Sequence, residues 1–539
     1  MMMKLFAWIG VMLMALSARA QGQWDWAQRL PLVNTAVAAG PAGRVYVSGS
    51  FSGLVVIGGT RYAAVGTEDG FIGCFTSAGV LQWSQQLSSQ PYYPQTQPQS
   101  ASPTDIAADA AGNSYVTGAF TGRISFPNAT VTAPMGWNGL FTAKYSPAGA
   151  LQWIRAGGCP SYASKPGAIA VDAAGNSYIA GGVTSPAVFD QVSKSFAGKY
   201  QVFVASYSTT GAIRWLTTGS GQSNTNLAQD VAADGHGGVY VVGSYYSELT
   251  LGATVLPANS SNGTQYPNQL IAQLRGSTGQ VVWARWAGGP GSYVLGEGIS
   301  VDDAGNTCVA GRYSGAPAFG LGTNGLPAAS SPTAYAAAYT SVGTPRWAVP
   351  LDLTTNQGRC RTASAADGSR CYVLSDRTTV SPTPVVLRRL WPASGSTQWR
   401  LDMRGDAHPY ALTLAPDGYL FATGSVSGTA YFGPSMLNAA SPANFFVRVS
   451  ETAARQTATA AQNAWTAYPN PTQNLLRVPL PEPAQATVRD AFGQLRMQTL
   501  LHPQPDGAWL NVDRLLPGTY VLELRTAGGV VHRQWVVKE

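Results

Sequence analysis

DAAGNSYVTGAFTG (109–122) is written again, almost letter for letter, as DAAGNSYIAGGVTS (172–185). Aligned on the tyrosine of this phrase, Tyr46, Tyr115, Tyr178, Tyr240, Cys308, Tyr372 and Phe421 form one column. Three residues later stand Gly49, Gly118, Gly181, Gly243, Gly311, Ser375 and Gly424, and nine residues before the tyrosine stand Val37, Ile106, Ile169, Val231, Ile299, Ala363 and Leu412. The phrase therefore occurs seven times. A second phrase follows it, FTAKYSPAGALQW (141–153) and FVASYSTTGAIRW (203–215) being two copies, with its glycine and tryptophan always four apart: Gly79/Trp83, Gly149/Trp153, Gly211/Trp215, Gly279/Trp283, Gly343/Trp347 and Gly395/Trp399.

Both phrases alternate or run apolar for four to eight residues between turn formers, the pattern of short antiparallel strands. Each unit holds four: strand a with the Ile/Val column, strand b with SYVTG, strand c with FTAKY, and strand d ending at the tryptophan. Four short strands about every 60 residues are the sequence form of a β-propeller blade; a stacked solenoid repeats at roughly 20–30. The seventh unit ends at NFFVRVS (444–450) with no Gly-x-x-x-Trp after it, whereas Gly22 and Trp26 near the other end have that spacing. The sequence thus predicts a seven-bladed β-propeller over 21–450, closed by an N-terminal strand over about 23–30 beside 444–450. Closure removes sheet edges that invite aggregation.

The conserved-looking letters have structural work to do. Asp109, Asp172, Asp234 and Asp302 precede a glycine where strand a turns into strand b, so each is expected to cap its own turn. DAAGN lacks the alternating oxygen ligands of a calcium loop. The tyrosine and tryptophan columns are expected to pack between blades. These phrases resemble the bacterial seven-bladed β-propeller repeat of secreted proteins, over roughly 24–450. That resemblance implies architecture and no particular reaction.

The ends describe a route. MMMKLFAWIGVMLMALSARAQGQ carries Lys4, an apolar run from Leu5 to Leu16, and small residues around a cut between Ala20 and Gln21. That is the layout of a signal peptide over 1–20, and no later stretch reaches the roughly 18 apolar residues of a transmembrane helix. At the other end, 451–465 (ETAARQTATAAQNAW) reads as a linker, and 466–539 as a small immunoglobulin-like β-sandwich of alternating strands. Within it, Tyr468-Pro469-Asn470-Pro471, Gly518-Thr519-Tyr520 and Lys538-Glu539 resemble the type A C-terminal sorting domain of the Bacteroidetes type IX secretion system. The resemblance implies passage to the periplasm, recognition by the secretion machinery, removal of the tail by a sortase-like protease, and a surface-anchored or released cargo.

Charged residues make up 11% of the chain, and the formal net charge of +7 is densest at Arg359, Arg361, Arg370, Arg377, Arg388 and Arg389, expected as solvated strand faces. Basic residues interleaved with exposed aromatics, as a nucleic-acid groove needs, are missing from the sequence. Cys74, Cys159, Cys308, Cys360 and Cys371 are odd in number and scattered, which is no disulfide framework. A hairpin turn at Asp367-Gly368 would put Cys371 opposite Ser364 rather than Cys360.

Four histidines (His236, His408, His502, His532) are not brought together by the repeat, and no nucleophile elbow, HExxH or phosphate loop occurs. No catalytic residue, metal ligand or cofactor is assigned. Carboxylates from different blades could still meet in the channel, and Asp105, Asp230 and Glu297 near the starts of strands a are the candidates, otherwise solvated strand ends. Connections a–b and c–d are short and share one face; b–c and d–a swell on the other, at 88–104, 157–167, 258–269 and 287–298. Long loops on one rim of a rigid scaffold are where binding concentrates. They carry Tyr92, Tyr93, Tyr162, Tyr266 and Tyr293, suited to stacking on sugar or peptide. The reading is an exported, non-catalytic module for an extracellular glycan or protein. The alternatives are a carbohydrate-active hydrolase or lyase with a channel carboxylate cluster, and a purely structural surface protein.

Overall fold

The computed structural model describes residues 21–451 except 91–98, 127–128, 134–137, 160–163, 224, 321–324, 354–358 and 378–383, and 472–539 except 479, 481–482, 491–493, 504–507 and 527–530. Every helix or strand among them is a strand. The signal-peptide segment with Ala20, the tyrosines Tyr92, Tyr93 and Tyr162, and Tyr468 to Pro471 lie outside the described residues. Gly22–Ser450 forms one compact unit, and Glu451–Glu539 belongs to another.

Alternating apolar strands, joined by short a–b and c–d turns and longer b–c connections, fold as four-stranded meanders. In the second, Ala101–Ala108, Ser114–Thr121, Asn138–Tyr145 and Leu151–Gly158 pair antiparallel in sequence order. Seven such sheets follow one another, and their strands a are Val33–Ala39, Ala101–Ala108, Lys165–Val171, Leu227–Ala233, Tyr293–Val301, Arg361–Ser364 and Arg404–Leu414. Each strand a lies against the strand a of the next sheet, and the seventh lies against the first, so the sheets form a closed ring around a channel. The seventh sheet takes its outer strand from the other end of the unit: Gly22–Leu30 pairs with Ser435–Glu451. Asp25 there accepts hydrogen bonds from Arg448 (2.8 Å) and Ser450 (2.6 Å).

The Gly-x-x-x-Trp spacing is explained by the joint between blades. The indole N–H of each tryptophan donates to a carbonyl in the c–d turn of the next blade: Trp83 to Pro147, Trp153 to Thr209, Trp283 to Ser341 (each 2.9 Å) and Trp215 to Gly276 (2.8 Å). That turn's glycine sits on the ring. Gly211 has φ +81°, and a Cβ there would lie 2.7 Å from Trp153, so both the left-handed backbone and the close approach demand glycine. Gly22 shares the close approach, to Trp399, and Trp26 reaches Ser77 of the first blade (3.3 Å) while meeting Phe446 edge-on at 5.0 Å. The tyrosine column completes the joint: Tyr115 donates to Asp109 of its own turn (3.0 Å) and to Gly175 O of the next blade (3.1 Å). The turn aspartates cap as expected, Asp109 accepting from the Asn113 N–H (2.8 Å) and Asp234 from the Gly238 N–H (2.7 Å). The hydrophobic clusters of this unit draw residues from neighbouring blades, so burial glues sheet to sheet.

Two expectations need correction. Cys308 and Cys371 are joined by a disulfide between strands b of the fifth and sixth blades, which scattered spacing did not reveal; Cys74, Cys159 and Cys360 are buried and unbridged. Cys371 does lie opposite Ser364. The arginine-rich stretch is not uniformly a set of solvated faces: Arg388 is 3% exposed and bonds the Asp352 carboxylate, which Arg400 also approaches at 3.5 Å, while Arg361, Arg370, Arg377 and Arg389 are half-buried and Arg359 is exposed.

The C-terminal unit has its own core of Leu476, Val478, Val488, Leu510, Leu522, Val536 and neighbours. It comprises a four-stranded sheet, ordered Leu495–Leu501, Ala484–Asp490, Gly518–Thr526, Val531–Lys538, and a pair, Leu475–Val478 with Ala508–Asn511. Gly518 pairs with Lys538, and the buried Tyr520 donates to Leu516 O (2.8 Å).

Candidate functional site: the propeller channel

The channel holds a cavity of about 510 Å³ lined by strands a. Six of these strands carry a bulge just before the Ile/Val column, at Val33/Ala36, Pro103/Asp105, Pro166/Ala168, Ala228/Asp230, Gly296/Gly298 and Pro409/Ala411. The extra residue folds over strand b, which is why strand b carries glycine there. A Cβ on Gly243 would lie 2.1 Å from Leu227 O, and one on Gly311 1.9 Å from Leu295 O. Bulges re-aim side chains, and here Asp105 and Asp230 follow the bulge and line the cavity.

These two carboxylates are not solvated strand ends. Asp105 Oδ2 accepts the Ile169 N–H of the next blade (2.8 Å); Asp230 accepts its neighbour Val231 N–H (2.8 Å) and, from the next blade, Ile299 N–H (2.9 Å). Burial pushes the Asp105 carboxyl up to about 7, helped by the negative charge of Asp230 and opposed by the backbone donors and Arg361. Burial likewise pushes Asp230 up to about 6 against the pull of Arg361. Glu297 is not with them. It is 5% exposed, accepts from Arg312 Nε (2.8 Å) and from the Cys360 N–H (2.9 Å), and serves a buried ion pair. The described residues bring together no group of three or more His, Cys, Asp or Glu fit to hold a metal.

Sequence reasoning missed the cations. Lys165 opens strand a of the third blade, Arg361 opens that of the sixth and Arg359 stands two residues before it, all on the long-loop side of the cavity. Arg361 donates to three carbonyls, Tyr410 O (2.7 Å), Glu297 O (2.7 Å) and Cys360 O (3.1 Å). Arg359 lies over the Tyr410 ring, 6.0 Å from its centre. Burial and the charge of Arg361 lower the Arg359 pKa, and burial with Arg359 lowers that of Lys165, so the three cations crowd one another. The opposite end of the cavity is lined by Ala39, Ala108, Ala170 and Ala233. The only legible signal was the dense arginine run, whose inward direction depended on the ring.

Of the loop tyrosines within the described residues, Tyr266 and Tyr293 are half-buried and neither lines this cavity. Tyr293 begins strand a of the fifth blade, and burial raises its hydroxyl pKa. His408 stands 3.4 Å from the buried Asp376 carboxylate, whose hydrogen bond raises the imidazole pKa.

Comparison with known proteins adds two matches. Residues 466–538 match the secretion system C-terminal sorting domain, and residues 82–119 match the β-propeller repeat. No curated protein matches the chain. Among solved structures, quinohemoprotein alcohol dehydrogenase from Comamonas testosteroni is 12% identical, covering 80% of this chain and 76% of its own at a TM-score of 0.34. Sqt1 from Chaetomium thermophilum, bound to the N-terminus of ribosomal protein L10, is 8% identical over 81% of this chain and 100% of its own, at a TM-score of 0.37. An apocarotenoid oxygenase of Synechocystis is 10% identical over 67% and 73%, at a TM-score of 0.34. Likenesses at these scores carry no argument here. The sorting-domain tail implies export through the type IX system of Bacteroidetes to the cell surface or the extracellular space. No helix among the described residues is long and apolar enough to cross a membrane.

Proposed function

We propose that this β-propeller, exported by the type IX secretion system, is a non-catalytic binding module that takes an extracellular glycan or protein at the long-loop rim of its channel. The observation that carries the reading is the state of the three candidate carboxylates. Asp105 and Asp230 are engaged by backbone N–H groups of neighbouring blades, and Glu297 by Arg312, while the cavity beside them stays open. Its volume is within the ~300–1,000 Å³ of small-molecule sites. Of the tyrosines that the sequence assigns to the same rim (Tyr92, Tyr93, Tyr162, Tyr266 and Tyr293), Tyr266 and Tyr293 are half-buried outside the cavity and the other three lie outside the described residues. Delivery uses the predicted signal peptide 1–20, cut between Ala20 and Gln21. The tail, with Tyr468 to Pro471, Gly518, Tyr520 and Lys538 as its sorting residues, is read by the secretion machinery and cut by a sortase-like protease near 451–465.

One observation favours the enzyme alternative: a carboxyl near pH 7, as Asp105 is, suits a general acid. The experiment is a screen of glycan and peptide arrays with hydrolysis and lyase assays run on the same ligands. Saturable binding without turnover is expected. Turnover that disappears in Asp105→Asn would replace the binding reading with the enzymatic one.

A further inference from the structure

We propose that the channel mouth is a receptor for an acidic sugar, whose carboxylate or sulfate group is held by Lys165, Arg359 and Arg361. This deepens the binding reading above and rests on it. Lys165 and Arg361 come from strands a of two non-adjacent blades and Arg359 from the connection just before the second of these, so the ring alone gathers them. None forms an ion pair among the described residues, and the neighbouring loop segments 160–163 and 354–358 contain no acidic residue. Asp105 and Asp230 in the same cavity feel the charge of Arg361 but form no ion pair with it, and like charges crowded at an open cavity lower their mutual repulsion by taking up an anion. Two of them are already oriented: Arg361 is pinned by three carbonyls, and Arg359 lies over the Tyr410 ring, which leaves little side-chain freedom to lose on binding. Hydroxyl and amide side chains lining the same cavity, Ser102, Thr104, Gln229 and Thr413, give a polyhydroxylated ligand its remaining partners. A peptide carboxylate would satisfy the cations but would leave this polar wall facing apolar side chains; a sugar does not.

The charged groups facing the site also predict how binding varies with pH. Asp105 and Asp230 oppose an anion while ionised and take up protons as pH falls towards 6, while the cations Lys165, Arg359 and Arg361 line the same cavity. A sulfate keeps its charge over this range. Affinity for a sulfated sugar therefore rises from pH 8 to pH 5.

The test is calorimetric titration of the full chain with three oligosaccharides: one ending in glucuronate, one ending in a sulfated sugar, and a neutral counterpart. The acidic ends are expected to bind about tenfold or more tightly than the neutral one, the gain of one charge-assisted contact. Arg359→Gln and Lys165→Gln should each remove about that factor for acidic ligands, with the unfolding midpoint measured alongside so that a loss of binding is separated from a loss of folding. Binding of either acidic ligand with this mutational pattern supports the proposal, and the pair distinguishes a carboxylate from a sulfate. Equal affinity for neutral and acidic sugars, or insensitivity to both substitutions, overturns it and leaves the binding reading standing. Failure of all three sugars alongside a hit on the peptide array also overturns it alone. Failure of every array ligand overturns both.

Discussion

The two rims of the propeller were built by different rules. On the rim of a–b and c–d turns, one device recurs: a glycine rests on the preceding blade's tryptophan, an indole N–H crosses the joint, and in the second to fifth blades an aspartate caps the a–b turn. On the other rim, nothing repeats. Lys165, Arg359 and the swollen connections occur once each, and the carboxylates at the waist come from the second and fourth blades only. The first rim spends its letters on stability and so is legible as a repeat. The second is free of that duty and can differ from blade to blade, as a ligand site requires.

The largest way to break the contrast is to open the ring. Deleting residues 22–30 strips the seventh blade of its outer strand and exposes the edge of Ser435–Glu451, and the protein is expected to aggregate. A monomeric product with an unchanged unfolding midpoint by size exclusion and calorimetry would refute the closure argument. Next comes a matched pair of substitutions. Trp215→Ala, at a joint, should cost ~3–5 kcal/mol in denaturant unfolding. Tyr293→Ala, half-buried on the variable rim, should cost about 1 kcal/mol. Comparable losses would erase the distinction between rims. Cys308→Ser removes the one covalent joint and should cost ~2–4 kcal/mol under oxidising conditions and much less when both proteins are reduced.

A smaller effect sharpens the waist. The Asp105 carboxyl titrates higher in the folded protein (about 7) than in an unfolded chain (about 3.9), so its contribution to stability is fully present below pH 4 and is lost as pH rises through 7. Asp105→Asn, whose amide oxygen can still accept the Ile169 N–H, is expected to flatten the fall of the unfolding midpoint between pH 5 and 8. An unaltered slope would place the proton elsewhere. The smallest effect on the propeller is expected from the tail. Deleting 536–539 would mix two causes, because Val536 belongs to the tail's core. Lys538→Ala is the cleaner variant: the propeller should unfold as before while surface delivery falls. Delivery at the full level by cell fractionation would count against Lys538 as a sorting residue.

What could be read in advance followed from local physical demands. A left-handed turn residue touching an indole must be glycine, so Gly211 and its counterparts keep a fixed distance from their tryptophans in any blade. An Asx-type cap needs an aspartate at one turn position, so Asp109, Asp172 and Asp234 line up. The closing strand was legible because it must satisfy the same joint, glycine on Trp399 and indole towards Ser77. The candidate site was legible only in its face and in two carboxylates, whose roles were misjudged. A strand-end aspartate reads as solvated unless the next blade's N–H is known to lie 2.8 Å away.

By itself, then, the sequence determined the repeat, the number of strands per unit, the closing strand and the sorting tail, because each depends on contacts at fixed sequence offsets. Only the tertiary structure decided which side chains face the axis together. Lys165 and Arg359 are far apart in the chain, as are Cys308 and Cys371, and no periodicity relates either pair by residue type. Their proximity is set by the closing of the ring and by the bulges that turn strand a towards the channel, both of which depend on packing between blades rather than on any local run of residues.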